Sequence, residues 1–206
     1  MNKKAILFFI LVLTLISPAQ EAGLIEEIAA PFEAKKTNEI DPDVHLFGIP
    51  LRSSEEVATS IYGKPQVRIE FSEKLTGLMY QWNWVFFFEM DKLCGVSFMD
   101  GTLDWHLMKF VKNFKSPWRG DQILWVLSNG IHHKMQKKEA NKIFSKMADE
   151  KVNDYCAFYK TKLCCVEINF GGSRGEDKKN ETGQAYGITV MQKGPYEEYN
   201  RYGQSE

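Results

Sequence analysis

The sequence predicts an α+β fold: two repeats of a short helical element followed by an antiparallel β-sheet, with the helices packed on one sheet face. Three observations predict it. Runs rich in aromatic and β-branched residues at 66–71, 78–89, 92–99, 154–159, 162–170 and 186–192 read as strands. A short segment with an apolar helical stripe precedes each group of strands. The pattern Lys-Leu-Cys-x-Val occurs twice, from Lys92 to Val96 and from Lys162 to Val166.

Composition narrows the function classes. The chain has 206 residues, with 26 Lys plus Arg against 27 Asp plus Glu, a formal net charge of −1. Such a balance excludes a disordered polyelectrolyte and removes the broad positive field of nucleic-acid binders, so no nucleic-acid partner is expected.

The first elements concern the chain's address. Residues 1–19 read as a signal peptide: Lys3 and Lys4 form the positive start, Ala5 to Ile16 the apolar run, and Ser17-Pro18-Ala19 a cleavage site cut after Ala19. A helix of that apolar run is about 18 Å long, short of a hydrocarbon core of about 30 Å. A retained membrane anchor is the competing reading. No later segment is apolar for long enough to span. Removing residues 1–19 takes away two Lys and leaves 24 basic against 27 acidic side chains, a net of −3. The Lys-rich start has a bacterial character, so the expected location is the periplasm or the medium.

Residues 20–46 form an N-terminal lead, with a short helix over 24–32 and a turn at Asp41-Pro42-Asp43. Residues 47–100 form the first repeat. Ser53-Ser54-Glu55-Glu56 offers an N-cap with acids in the first turn, Val57, Ala58 and Ile61 give the stripe, and Gly63-Lys64-Pro65 stops the helix. Residues 101–130 read as a helical connector. In the second repeat, 131–192, a basic helix over Ile131 to Met147 turns Met135, Ile143, Phe144 and Met147 inward. A Gly-rich loop from 171 to 183 precedes the last strand, and 193–206 is a flexible tail.

Phe88 to Val96 aligns without gaps on Phe158 to Val166, at an offset of 70 residues. If Lys160-Thr161 is a two-residue turn, Cys156 and Cys165 face each other in a non-hydrogen-bonded pair, with Cα atoms about 4.5 Å apart and within disulfide reach. Cys156–Cys165 is therefore the expected bridge. Cys94 and Cys164 then share the core face with Val96, Phe98, Val166, Ile168 and Phe170, as buried thiols or as a second bridge. The same register turns Trp82, Trp84, Phe86 and Phe88 to the opposite face. An open row of large aromatics marks a partner-binding surface. A row covered by the lead or the connector is core instead, and the apolar character of both faces over 84–88 fits a doubly covered strand.

Phe98-Met99-Asp100-Gly101-Thr102 lacks the first carboxylate of the Asp-x-Asp-Gly-Thr phosphatase loop, since Phe98 cannot attack phosphorus. His132 and His133 point about 100° apart on a helix and suit surface or capping roles better than one metal. Cys164-Cys165 is not a redox Cys-x-x-Cys, and no Gly-x-Ser-x-Gly occurs. No catalytic residue, metal or cofactor is expected.

Gly48-Ile49-Pro50-Leu51, Ser54-Glu55-Glu56-Val57, Ile61 and Gly63-Lys64-Pro65, followed by the aromatic strands from Trp82 to Phe98, resemble a known unit. It is similar to the helix-plus-hairpin repeat of small bacterial envelope proteins of the SmpA/OmlA type and of the β-lactamase-inhibitor-protein superfamily. In the latter, two tandem repeats form a concave aromatic sheet that grips a protein, so the resemblance implies a binding role. The expectation is an exported, non-catalytic binding or scaffolding protein of the bacterial envelope, whose partner is another envelope or secreted protein. The alternatives are a small secreted hydrolase with dispersed catalytic residues and a purely structural envelope protein.

Overall fold

The computed structural model describes residues 33–100, 107, 110–111, 124–147, 151–152, 155–171 and 183–204. The expected signal peptide, the helix over 24–32, most of the connector and most of the Gly-rich loop lie outside the described residues. The chain divides into residues 1–33 and 34–206, and the fold is that of the second unit.

Strands dominate because β-branched and aromatic side chains fit a pleated surface buried on one or both faces. In chain order, the lead gives β1 (Glu39–Asp41), β2 (His45–Leu46) and β3 (Ile49–Pro50). Helix α1 (Glu55–Tyr62) precedes β4 (Val67–Glu70), β5 (Leu75–Tyr80), β6 (Trp84–Glu89) and β7 (Lys92–Met99). After β8 (Val126–Leu127) come α2 (Lys137–Phe144), β9 (Lys151–Val152), β10 (Cys156–Lys160), β11 (Cys164–Gly171), β12 (Gln184–Gln192) and α3 (Lys193–Gln204).

The main sheet is antiparallel throughout, in the order β4-β5-β6-β7-β12-β11-β10-β9. Its two halves mirror each other about the β7–β12 pair. A small sheet, β3-β2-β1-β8, lies apart from it in pairing, with β8 parallel to β1. The α+β class is thus present, with one large antiparallel sheet and few helices.

Side chains cover both faces of the main sheet. Trp84, Phe86, Phe88, Val96, Phe98, Val166, Ile168 and Ile188 join one core with Ile40, Leu46 and Leu127 of the small sheet, Ala58 of α1, and Ala140 and Phe144 of α2. On the other face Leu75, Met79, Val85, Phe87, Cys94, Cys165 and Met191 pack with Leu107, Val111 and, from α3, Tyr196 and Tyr199. Gly63 closes α1 at φ 79°, a left-handed conformation that costs glycine little.

Several expectations are corrected. The single strand expected over 78–89 is two strands, because Gln81 and Trp82 take φ of 51° and 64° and turn the chain. The β6–β7 hairpin turns at Met90-Asp91, both at positive φ, as a right-twisted two-residue hairpin requires. Its register then shifts: Phe87 faces Gly95 while Phe88 faces Leu93, leaving Cys94 as the extra residue of a bulge. The bulge leaves Cys94 in the second core and swings Val96 and Phe98 onto the side of the aromatic row. Cys94 and Cys164 therefore belong to opposite faces.

The expected Cys156–Cys165 bridge is absent. Cys156 faces Asn169 and Cys165 faces Lys160, a register four residues away from the expected one, and all four cysteines are free thiols. The cause is the turn, which falls on Lys162-Leu163, two residues later than Lys160-Thr161: the Thr161 N–H donates to the Cys164 carbonyl at 2.9 Å.

Helix α2 begins at Lys137 rather than Ile131. Residues 131–136 are drawn out instead, bridging at Val126–His132 and Gln136–Gln184, with the Lys134 N–H donating to the Ala185 carbonyl. Met135, Ile143 and Met147 still pack inward, beside the buried Phe144. The expected flexible tail is helical over 193–204, because Tyr196 and Tyr199, three positions apart, share one face and bury it on the sheet.

Candidate aromatic pocket

The residues expected to form a partner surface separate. Trp84, Phe86 and Phe88 lie in line on β6 and are 3%, 0% and 0% exposed. As an open row they are corrected: the small sheet and α1 cover them. Trp82 stands in the β5–β6 turn and packs at the margin of the other core. Only the edge of the row, at Trp84, reaches an opening.

That opening is built by local turn geometry. The β2–β3 hairpin turns on Phe47 (φ 52°) and Gly48 (φ 78°), where a Cβ at Gly48 would run into the Lys35 carbonyl. The turn delivers Phe47 to Trp84 edge-on, with centroids 5.4 Å apart and planes at 76°. Tyr62, the last residue of α1, meets Trp84 at 4.9 Å and 87°, and its hydroxyl donates to the Phe47 carbonyl at 2.6 Å. Burial pushes the Tyr62 phenol up to about 12, so it stays protonated at neutral pH. Edge-to-face aromatic contacts of this kind fix the rings with respect to one another.

The three rings line a cavity of about 400 Å³ together with Lys36, Thr37, Asn38 and Leu124. The Lys36 ammonium sits 5.8 Å from the Tyr62 ring centroid. The Asn38 amide holds the rim by donating to the Leu124 carbonyl at 2.6 Å. The Trp84 indole N–H is buried without an acceptor. An unpaired buried donor costs about 1–3 kcal/mol.

A second cavity of about 330 Å³ is lined by Glu39, Ile40, Asp41, His45, Val126, Leu127 and Ser128. Its polar groups serve the lead: His45 Nδ1 accepts the Gly48 N–H and Asp41 Oδ1 accepts the Asp43 N–H. Burial lowers the His45 pKa, against the pull of Asp41 and Glu39.

His133, expected at the surface, is buried, with Nε2 3.2 Å from Asp100 Oδ2 and the rings of Phe98 and Trp125 beside it. Among the described residues no cluster of three or more His, Cys, Asp or Glu is placed to hold a metal, and no helix is long and apolar enough to cross a membrane.

Sequence reasoning missed Phe47, Tyr62 and Lys36. The one available signal was Tyr62 next to the Gly63-Lys64-Pro65 stop, where a ring at a helix end can reach past the helix.

The fold and pocket together define an α+β protein with an eight-stranded antiparallel sheet covered on both faces. No protein-family model matches the chain, and no curated protein matches it in sequence. In structure it is similar to an extracellular protein of Bacillus anthracis containing an SCP domain, with a TM-score of 0.44 and 9% identity over 72% of this chain and 46% of that one. It is also similar to a cysteine-rich secretory protein of Staphylococcus aureus, with a TM-score of 0.41 and 10% identity over 80% of this chain and 52% of that one. The chain thus spans about half the length of each.

Proposed function

We propose that the chain is an exported, non-catalytic binding protein of the bacterial cell envelope that takes a side chain of a protein partner into the Phe47–Tyr62–Trp84 pocket. The observation that carries this reading is Trp84, whose unpaired indole N–H belongs to a residue lining an open, largely apolar cavity. Ligand sites combine such a lining with a few placed polar groups, and a volume of about 400 Å³ falls in their usual range. Export is supported by the signal-peptide pattern of residues 1–19. The mirrored strand order about β7 and β12 supports a construction from two helix-plus-sheet units, more than the Lys-Leu-Cys recurrence does, since that pattern starts the last strand of one half and enters the third of the other.

The test closes the mouth without touching the core. Leu124 lines the cavity and is half-exposed, so Leu124→Trp fills the opening while leaving the rings in place. Immobilised protein exposed to envelope extract is expected to retain a stoichiometric partner that the variant loses, with its thermal melting unchanged. Equal retention by a correctly folded Leu124→Trp protein refutes the pocket as the binding site.

A further inference from the structure

Strand β4 (Val67–Glu70) ends the main sheet, with β5 on its paired side. Two bonds fix which way its backbone groups point: the Phe71 N–H donates to the Leu75 carbonyl, and the Met90 N–H to the Lys74 carbonyl. Alternation along the antiparallel ladders then turns the N–H and C=O groups of Val67 and Ile69 towards β5 and those of Arg68 and Glu70 outward. Among the described residues no backbone hydrogen bond reaches that outward row. Arg68 and Glu70 are also the exposed side chains of the strand, whereas Ile69 is buried and Val67 half-buried.

We infer that β4 is a self-association edge, which pairs antiparallel with β4 of a second copy of this chain about a two-fold axis at Ile69, Arg68 of each copy opposite Glu70 of the other. An open strand edge is a template for a further strand. Its groups enter a ladder where an outward residue meets an outward residue, and within β4 that leaves Arg68 on Arg68, Glu70 on Glu70, or Arg68 on Glu70. The first two set like charges face to face, which is destabilising. The third satisfies the N–H and C=O of both residues in both copies and sets opposite charges together twice. It also places Val67 opposite Phe71, so the apolar face under Ile69 continues across the junction.

Charges on an edge strand ordinarily keep other strands away, and two of one sign would do so here. Opposite signs two positions apart repel a slipped copy and attract one in register. Arg68 already holds Glu55 through Nη1, but a guanidinium has five N–H donors and this one is half-exposed, so a second carboxylate can be bound. The strand is 4 residues long, so the junction is small and a Kd on the order of 0.1 mM is expected.

Sedimentation equilibrium of the whole protein, from about 10 µM to about 1 mM, tests this. A monomer–dimer equilibrium is expected for the wild type. Glu70→Arg and Arg68→Glu are each expected to weaken it about tenfold, and an equimolar mixture of the two to regain it, because opposite charges then meet at both positions. Glu70→Pro removes an outward N–H that the sheet does not use, and is expected to abolish the dimer with thermal melting preserved. If the loss of the Glu55 pair unfolds Arg68→Glu, the two Glu70 variants carry the test. A wild type that stays monomeric at about 1 mM overturns the inference. So does a dimer that folded Glu70→Arg and Glu70→Pro leave unweakened. A mixture of folded charge variants that stays monomeric overturns the register. None of these outcomes touches the pocket, which Leu124→Trp tests by itself.

Discussion

His133 shows how burial decides the state of a single residue. Opposing influences act at its imidazole: removal from water between Phe98 and Trp125, with the neighbouring Lys134 and His132, lowers the pKa, and the nearby Asp100 carboxylate raises it. Burial is the larger, so the folded pKa lies below the ordinary 6.5 and the ring is neutral at pH 7. A depressed histidine pKa means that the unfolded chain binds the proton first. Stability is therefore full above about 6.5 and falls as the pH drops from there towards the folded value. His133→Gln keeps a donor for Asp100 and cannot titrate. Urea unfolding at pH 7.5 and pH 5 is expected to show a smaller loss of stability in the variant than in the wild type; equal losses would place the acid sensitivity elsewhere. None of this was legible in the sequence, where His132-His133 reads as surface, because the partner Asp100 lies 33 residues away.

At the level of elements, turns explain both what the sequence disclosed and what it hid. Strand β7 falls at 92–99 as expected, since Met90-Asp91 begins it cleanly. The β10–β11 hairpin does not follow its expected register, because its turn is held from outside the hairpin. Asp43, in the turn between β1 and β2, accepts from the Thr161 hydroxyl at 2.6 Å, the Leu163 N–H at 2.8 Å and the Lys162 N–H at 3.2 Å. A carboxylate more than a hundred residues upstream thus sets which residues turn, and with that keeps Cys156 from facing Cys165. Hydrogen bonds to a charged group contribute about 1.5–3 kcal/mol, so Asp43→Ala is expected to lower stability by about 2 kcal/mol in urea unfolding. Combined with Thr161→Val, the loss should fall short of the sum of the two single variants. Strict additivity would show that Asp43 does not hold the turn. Tertiary contact likewise overrides local pattern in 131–136, where helical spacing loses to pairing with β12 and β8, and in 193–204, where Tyr196 and Tyr199 find a sheet to cover.

For the whole molecule, the α+β class and most strands were legible because alternating and continuous apolar runs report burial directly. The second covering layer was not. Whether the row from Trp84 to Phe88 faces a partner or a core depends on where residues 39–50 fold, and that is decided by Leu46 and Ile49 in two very short strands and Phe47 in the turn between them. Once they close the row, what stays open of it is the pocket at Trp84, and the binding account rests on that pocket.

The most direct measurement is a proton–nitrogen correlation spectrum of protein labelled at its five tryptophans, with the Trp84 indole resonance assigned by Trp84→Phe and the partner retained from envelope extract added in steps. The account predicts a saturable shift of the Trp84 indole resonance as the pocket beside it fills, while that of Trp125, fully buried outside the pocket, stays in place. A Trp84 resonance that does not move at saturating partner, or a shift confined to another tryptophan, would contradict it.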